Sequence, residues 1–454
     1  MKLNLVVRIV FYCALSVLIS PYYDGWSSTS RYLIREGVYE SECTSAELAL
    51  AIKKDKVKCK AQAYRVGRLL SFYRISEFLS SVFIGMCMDN VGPRITIIIS
   101  IFLRMLSWFL IPIYHANTPV IMLCCILCGI TTNGLAFPVY TLSQYTTKYY
   151  NLCMIAVSIA LSLGTFYTVV LNYIYDWFPD ASSHAIIYTK LAITHLPFML
   201  LSFLVFPDDL TRDIEKNGVK LAPEPKDVET PKGSKEEVEI SSLSQYREAR
   251  EEVASTSADE KPEWSLADFL KIVSRTDVMT LSLAAMVSIV SLTFAGESFP
   301  ITYAHMETAM RINEVCVPLS FLFSIISIWF LDNFGSVPVI VFLNVMCSIM
   351  HIVMIFNTFA ASVISSIIMS LGYSLFLTQY YIYLDKEVPL SYSGSIKGCL
   401  VTSIGVILFS NIGLNMLAHK FGSAKGIHIG CCIARLVLTG PMVLLLKRRR
   451  IVHD

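Results

Sequence analysis

Charged residues are scarce in this sequence. Asp, Glu, Lys and Arg make up 16% of its 454 residues, where average soluble chains carry roughly 25%. The balance is near neutral at +2, so there is no basic surplus to suggest a nucleic-acid partner. Enzyme signatures are missing too. No phosphate loop, zinc-ligand spacing or G-x-S-x-G elbow occurs, so no catalytic residue, metal or cofactor is implied. No N-x-Ser/Thr acceptor exists either, so glycosylation gives no topological help. What the chain has instead is apolar bulk, 54% hydrophobic residues and a mean hydropathy of +0.58, which fits a polytopic membrane protein.

Runs of about 20 apolar residues can each cross a bilayer as a helix. Twelve can be drawn, at roughly 3–22, 67–89, 95–114, 119–141, 152–174, 187–206, 277–300, 315–331, 337–356, 359–382, 397–417 and 425–446. The first begins like a signal peptide, with Lys2 and Arg8 ahead of an apolar middle. Ser20-Pro21-Tyr22-Tyr23 is a poor cleavage site, however, and a retained helix is expected.

The longest polar stretch, about 207–263, is rich in Lys, Glu, Ser and Pro and cannot bury enough apolar area to order itself. It leaves six spans on each side. The following WSLADFLKIVSR, 264–275, carries a helical apolar stripe. It reads either as a helix along the membrane surface or as an extension of the seventh span.

GMCMDNVGPR, 85–94, fits a short turn between the second and third spans, and LDNFGSVP, 331–338, a turn between the eighth and ninth. These are equivalent places in two six-helix halves. Gly92 and Gly335 permit backbone angles closed to other residues, and Gly85 lets a neighbouring helix approach. Asp89 and Asp332, at the membrane edge, are placed to accept bonds from a helix N-terminus. TLSQYTTKYY, 141–150, and LTQYYIYLDK, 377–386, form a second echo of the same duplication.

GMCMDNVGPR matches the G-x-x-x-D-x-x-G-x-R signature of the major facilitator superfamily, and the chain resembles that family across its membrane portion. Arg94 completes the motif. The second copy departs from it, with Ile328 at the Gly position and Val337 in place of a basic residue. The resemblance implies an all-α membrane protein of 12 transmembrane helices in two six-helix bundles, residues 1–206 and 277–446. The connecting loop 207–276 and the basic tail 447–454 would then be cytoplasmic. PYYDGWSSTSRYLIREGVYESEC, 21–43, adds a finer resemblance to the superfamily's L-type neutral amino-acid transporters, and more so to their apicomplexan relatives. That implies amino-acid transport across a plasma membrane.

The tail KRRR agrees with the positive-inside rule. The loop 23–66, extracellular by the resemblance, opposes it with Arg31, Arg35, Lys53, Lys54, Lys56, Lys58, Lys60 and Arg65. The signature turn is given more weight, because the family places it in the cytoplasm. In an outer loop, Cys43 and Cys59 would be a disulfide or two free thiols. The other eleven cysteines fall in or beside the spans, where Cys acts as a small apolar residue.

Ionisable side chains inside a span are costly, at roughly 3 kcal/mol or more when unpaired. Arg74 and Glu77 lie in the second span and Arg104 in the third; Glu77 is expected to pair with Arg104 across helices or with Arg74 along one. Either pair would brace the bundle or serve substrate and gating. Arg435, midway along the last span, has no obvious partner and is read as bracing; Lys190, His195 and His351 are read as packing or snorkelling.

The family binds solute near the midplane, between the bundles, with spans 1, 4, 7 and 10 lining the cavity. The matching candidates here are Asp24, Thr131, Asn133, Glu297, Ser298, Tyr373 and Gln379, with Tyr167 of span 5 and Glu77 of span 2. Loosened backbone near Gly134 or Gly296 would meet a carboxylate, and Glu297 or Asp24 an ammonium. For each residue the alternative is a packed interface between helices. The expectation is therefore a non-enzymatic carrier of a small solute, an amino acid first and a sugar or monocarboxylate second. A membrane receptor or scaffold without transport is the rival class. The lipid bilayer is the only other partner implied.

Overall fold

The structure is a computed structural model. It describes residues 5–19, 26–44, 60–146, 149–164, 183–216, 265–303, 306–316, 318–421 and 423–453, with positions 166, 170, 171, 173, 174 and 177. Among these there is no strand.

The first half runs through α1 (Leu5–Ile19), the short α2 (Trp26–Arg35), α3 (Lys60–Val91), α4 (Pro93–Ile113), α5 (Thr118–Tyr140) and α6 (Tyr150–Gly164). It ends with α7 (Ser183–Ile193), α8 (His195–Val205) and the short α9 (Leu210–Lys216). The second half comprises α10 (Leu266–Val273), α11 (Thr276–Thr302), α12 (Glu307–Cys316), α13 (Phe321–Phe334), α14 (Ser336–Val353) and α15 (Phe359–Glu387). α16 (Ser393–Leu408), α17 (Ser410–Phe421) and α18 (Lys425–His453) complete it.

Eight helical stretches are long and apolar enough to cross a membrane, and three shorter apolar helices accompany them. With α3, whose apolar run is interrupted by Arg74 and Glu77, they account for the twelve expected spans. The sixth span is α7 and α8 broken at Thr194. Pro197, whose missing N–H would otherwise bond Ile193, explains the break.

α3 is longer than its apolar run. Its 32 residues reach about 48 Å at 1.5 Å each, beyond a hydrocarbon core of about 30 Å. The extra turns hold part of the loop that precedes them. Gln62 Nε2 donates to Val38 O (2.9 Å) and Ile34 O (3.4 Å). Tyr32 and Leu33 of α2 pack beside Trp108 and Ile111 of α4. Cys43 is disulfide-bonded; Cys59, its expected partner, lies outside the described residues, as do 217–264 of the central loop.

α10 is a helix in its own right. Its chain turns at Ser274 and Arg275 before α11 begins. Leu266 and Leu270 are exposed while Phe269 packs inward, as a surface-lying helix requires.

The buried apolar side chains divide by level. At the end that carries the 85–94 turn, called the signature end below, one cluster joins both halves, with Phe78, Ile97, Leu135, Tyr140 and Met154 packed with Leu281, Ile340, Tyr381, Ile396 and Leu400. At the opposite end the halves keep separate clusters, around Trp108 and Ile121 in one and Phe299 and Met350 in the other. Among the described residues the apolar clusters of the two halves merge at the signature end and stay separate at the other.

Candidate functional site

α3 stops at Val91 because Gly92 takes φ +101°, and Pro93 then starts α4 at its first turn. A Cβ on Gly92 would stand 2.0 Å from Asp208 O. Arg94 fixes the same corner, with Nε to Phe206 O at 2.7 Å and Nη1 to Asp208 at 2.6 Å. Its work lies within the first bundle.

Asp89 reaches the other bundle. Its carboxylate accepts from the backbone N–H of Gly394 (3.0 Å) and Ser395 (2.6 Å), the opening residues of α16. A helix N-terminus has unfilled donors and the positive end of its dipole, so a carboxylate suits it. Gly85 makes the approach possible, since a Cβ there would fall 2.0 Å from Gly394 O. The contact continues as Val82 N to Thr402 Oγ1 (3.1 Å) and Thr402 Oγ1 to Phe78 O (3.0 Å).

The second turn repeats the geometry in looser form. Gly335, at φ +78°, separates α13 from α14. Asp332 crosses to the first bundle, but accepts from the Asn151 side chain (2.8 Å) at the start of α6 rather than from backbone amides. The two turns thus reach α16 and α6 across the same interface.

A third tie was missed in the sequence reading. The side chain of Asp385, at the end of α15, is fully buried and paired with buried Lys397 of α16 at 2.5 Å. Ser393 donates to it at 2.6 Å, and Tyr150 of the other bundle at 3.1 Å. A carboxylate this deep needs such partners. Deeper along the interface Ser158 bonds Thr378 (2.6 Å), and the Tyr140 and Tyr381 rings meet edge to face.

The intramembrane charges differ from expectation. Arg104 is not held by Glu77; its donors go to Thr131 Oγ1, Ile19 O, Tyr73 OH, Cys128 O and Thr132 Oγ1, all neutral. Among the described residues these neutral oxygens, on three surrounding helices, take the place of the expected Glu77 carboxylate. Arg74 and Glu77, three residues apart, form no ion pair with each other among the described residues; Glu77 is buried, Arg74 half-buried. Arg435 is buried likewise, on Ser291 Oγ, Asn344 Oδ1 and Ser288 O. His351, expected to stand alone, lies Nδ1 to Nδ1 with His428 at 3.0 Å, and His428 Nε2 is 3.3 Å from Ser298 Oγ.

The expected solute contacts separate in the same way. Thr131 serves Arg104, and Asn133 Nδ2 donates to Glu77 O and Ser81 Oγ, so both brace α5 against its neighbours. Tyr373 OH donates to Leu292 O, which Gly296 allows by having no side chain. Glu297 is exposed and bonded to Asn415 of α17. Gln379 is buried and lines a small cavity of the second bundle. Asp24 and Tyr167 lie outside the described residues.

The sequence profile of the Major Facilitator Superfamily matches residues 60–413. The chain belongs to that superfamily. Its members carry solutes and are not enzymes, and this facilitator is an integral multi-pass membrane protein. It is 23% identical over 422 residues to "Cationic amino acid transporter 8" of Plasmodium berghei, covering 90% of this chain and 81% of that one. It is 27% identical over 88 residues to "Aromatic and large neutral amino acid transporter 5-3" of Toxoplasma gondii, a match confined to 19% and 18% of the two chains. The proton:xylose symporter XylE superposes with a TM-score of 0.65 at 12% identity, covering 96% and 94% of the two chains. The human organic anion transporter MFSD10 gives 0.60 at 10% identity, covering 96% and 98%. Those structures share the two-bundle, twelve-helix fold with this facilitator.

Proposed function

We propose that this facilitator carries amino acids across the plasma membrane by alternating access. The observation that carries the solute class is the similarity to the Plasmodium cationic amino acid transporter, which extends along nearly the whole chain. The cytoplasmic placement of the central loop and the tail comes from the family resemblance. In that orientation the fused signature end faces the cytoplasm, and the bundles part on the outer side. The conformation is then outward-facing, held by Asp89 on α16, Asp332 on Asn151 and Asp385 on Tyr150. Solute arriving from outside would favour closure of the outer halves and release of these ties. Each hydrogen bond in these ties is worth roughly 1–3 kcal/mol net, small enough for solute binding to overcome.

The test is uptake of a panel of radiolabelled amino acids in oocytes, with and without a pH gradient, and with unlabelled sugars and monocarboxylates as competitors. Saturable uptake of one or more amino acids, undiminished by the other solutes, is expected. Uptake of a sugar or monocarboxylate alone would refute the solute class. The pH arm separates proton coupling from facilitated diffusion.

A further inference from the structure

We propose that a single chloride-sized anion occupies the small cavity between Arg435 and Gln379 inside the second bundle. Arg435, in α18, is 1% exposed. Its partners Ser291 Oγ (2.6 Å), Asn344 Oδ1 (3.1 Å) and Ser288 O (2.8 Å) are all neutral. Among the described residues no carboxylate forms an ion pair with it. Among the described residues the titratable groups around it are Cys347, His351, Tyr380, Cys431 and Cys432, none of them a carboxylic acid. An isolated cation in an apolar interior is very costly. The guanidinium has five N–H donors, and the three bonds take one from each nitrogen, leaving a donor on each terminal nitrogen.

Gln379 supplies the second, independent observation. Its side chain is fully buried on α15, and neither its amide nitrogen nor its oxygen has a partner. Both residues line one cavity, together with Ser288, Leu292, Asn344 and Cys347. Asn344 cannot turn to help, because its Nδ2 is bound to Arg435 O (2.7 Å) and Thr439 Oγ1 (2.9 Å). The cavity measures about 20 Å³, and one water needs roughly 10–15 Å³. That admits one small atom and excludes a whole amino acid or sugar. A water would serve the amide but leave the cation uncompensated. A monatomic anion balances the cation and accepts N–H donors from Arg435 and from the Gln379 amide nitrogen. The inference does not depend on which solute is carried.

Bromide in place of chloride tests it on the purified full chain. Crystals grown in bromide should show one anomalous peak between Arg435 and Gln379. Saturating bromide without that peak, or a peak that an unlabelled amino acid displaces, would overturn the proposal. Because Arg435→Gln risks misfolding, the solution arm uses Gln379→Leu. Chloride replacing gluconate at fixed ionic strength should raise the Tm of the unaltered chain saturably. In Gln379→Leu the half-saturating concentration should rise about tenfold, the value of one hydrogen bond to a charge. Identical chloride curves for the two proteins would also overturn it.

Discussion

Tyr150→Phe removes one oxygen from the interface and nothing else. In the structure that hydroxyl donates to Asp385 across the bundles at 3.1 Å. The carboxylate keeps Lys397 at 2.5 Å and Ser393 at 2.6 Å, so no buried charge is stranded. The ring remains, with the Lys386 ammonium over its face. The loss is therefore one hydrogen bond to an ionised acceptor, about 1.5 kcal/mol at the low end of its range. Spread over the equilibrium between closed and open signature ends, that is roughly a tenfold shift toward open. Spin labels at exposed Asn90 and Asn333, one on each bundle at this end, report the separation once the half-exposed native cysteines are replaced. The long-distance population should grow about tenfold relative to the short one. An unchanged distance distribution would refute the assignment of Asp385 and Tyr150 to the closed gate. Lys397→Met is the contrasting case: breaking a buried pair costs about 3–5 kcal/mol, so membrane yield itself should fall.

Asp89→Ala should impair uptake while surface biotinylation finds normal amounts, because its two amide bonds hold the closed end rather than the fold. Gly85→Val should leave the protein in the membrane but cross-link poorly between α3 and α16, since the new side chain collides with Gly394 O. Arg104→Leu removes the bonds that tie Ile19 O of α1 and Tyr73 of α3 to α4, while Tyr73, Thr131 and Thr132 keep bonds of their own; a loss of about 3 kcal/mol is expected, read as a lower thermal midpoint in detergent. Cys43→Ser should free one thiol at Cys59 for an impermeant maleimide added from outside, and labelling only in inverted vesicles would contradict the orientation.

The apolar runs and the two turns were legible because each depends on local sequence. Asp, Gly and Arg at fixed spacing stand out against an apolar background, and Gly92 and Gly335 do adopt positive φ. The Asp385–Lys397 pair was harder to see. Lys397 begins an apolar run and Asp385 ends a helix, so each looks like an ordinary terminus until α15 and α16 are packed together. A lysine at the start of such a run was the available signal. Arg104 misled in another way. Opposite charge pointed to Glu77, whereas the described bonds of the guanidinium run to backbone carbonyls and hydroxyls of Tyr73, Thr131 and Thr132. His428 went unnoticed because a histidine near a helix start is unremarkable, and only packing brings it to His351. α3 exceeded its apolar run because its outer turns are held by polar contacts such as Gln62, which hydropathy does not register.

Flux in reconstituted vesicles tests the central claim most directly. Purified protein in liposomes should accumulate labelled amino acid saturably against an unlabelled internal pool, and Asp89→Ala should reduce that exchange without reducing the protein incorporated. Saturable binding with neither net flux nor exchange would contradict the account and leave a receptor in its place.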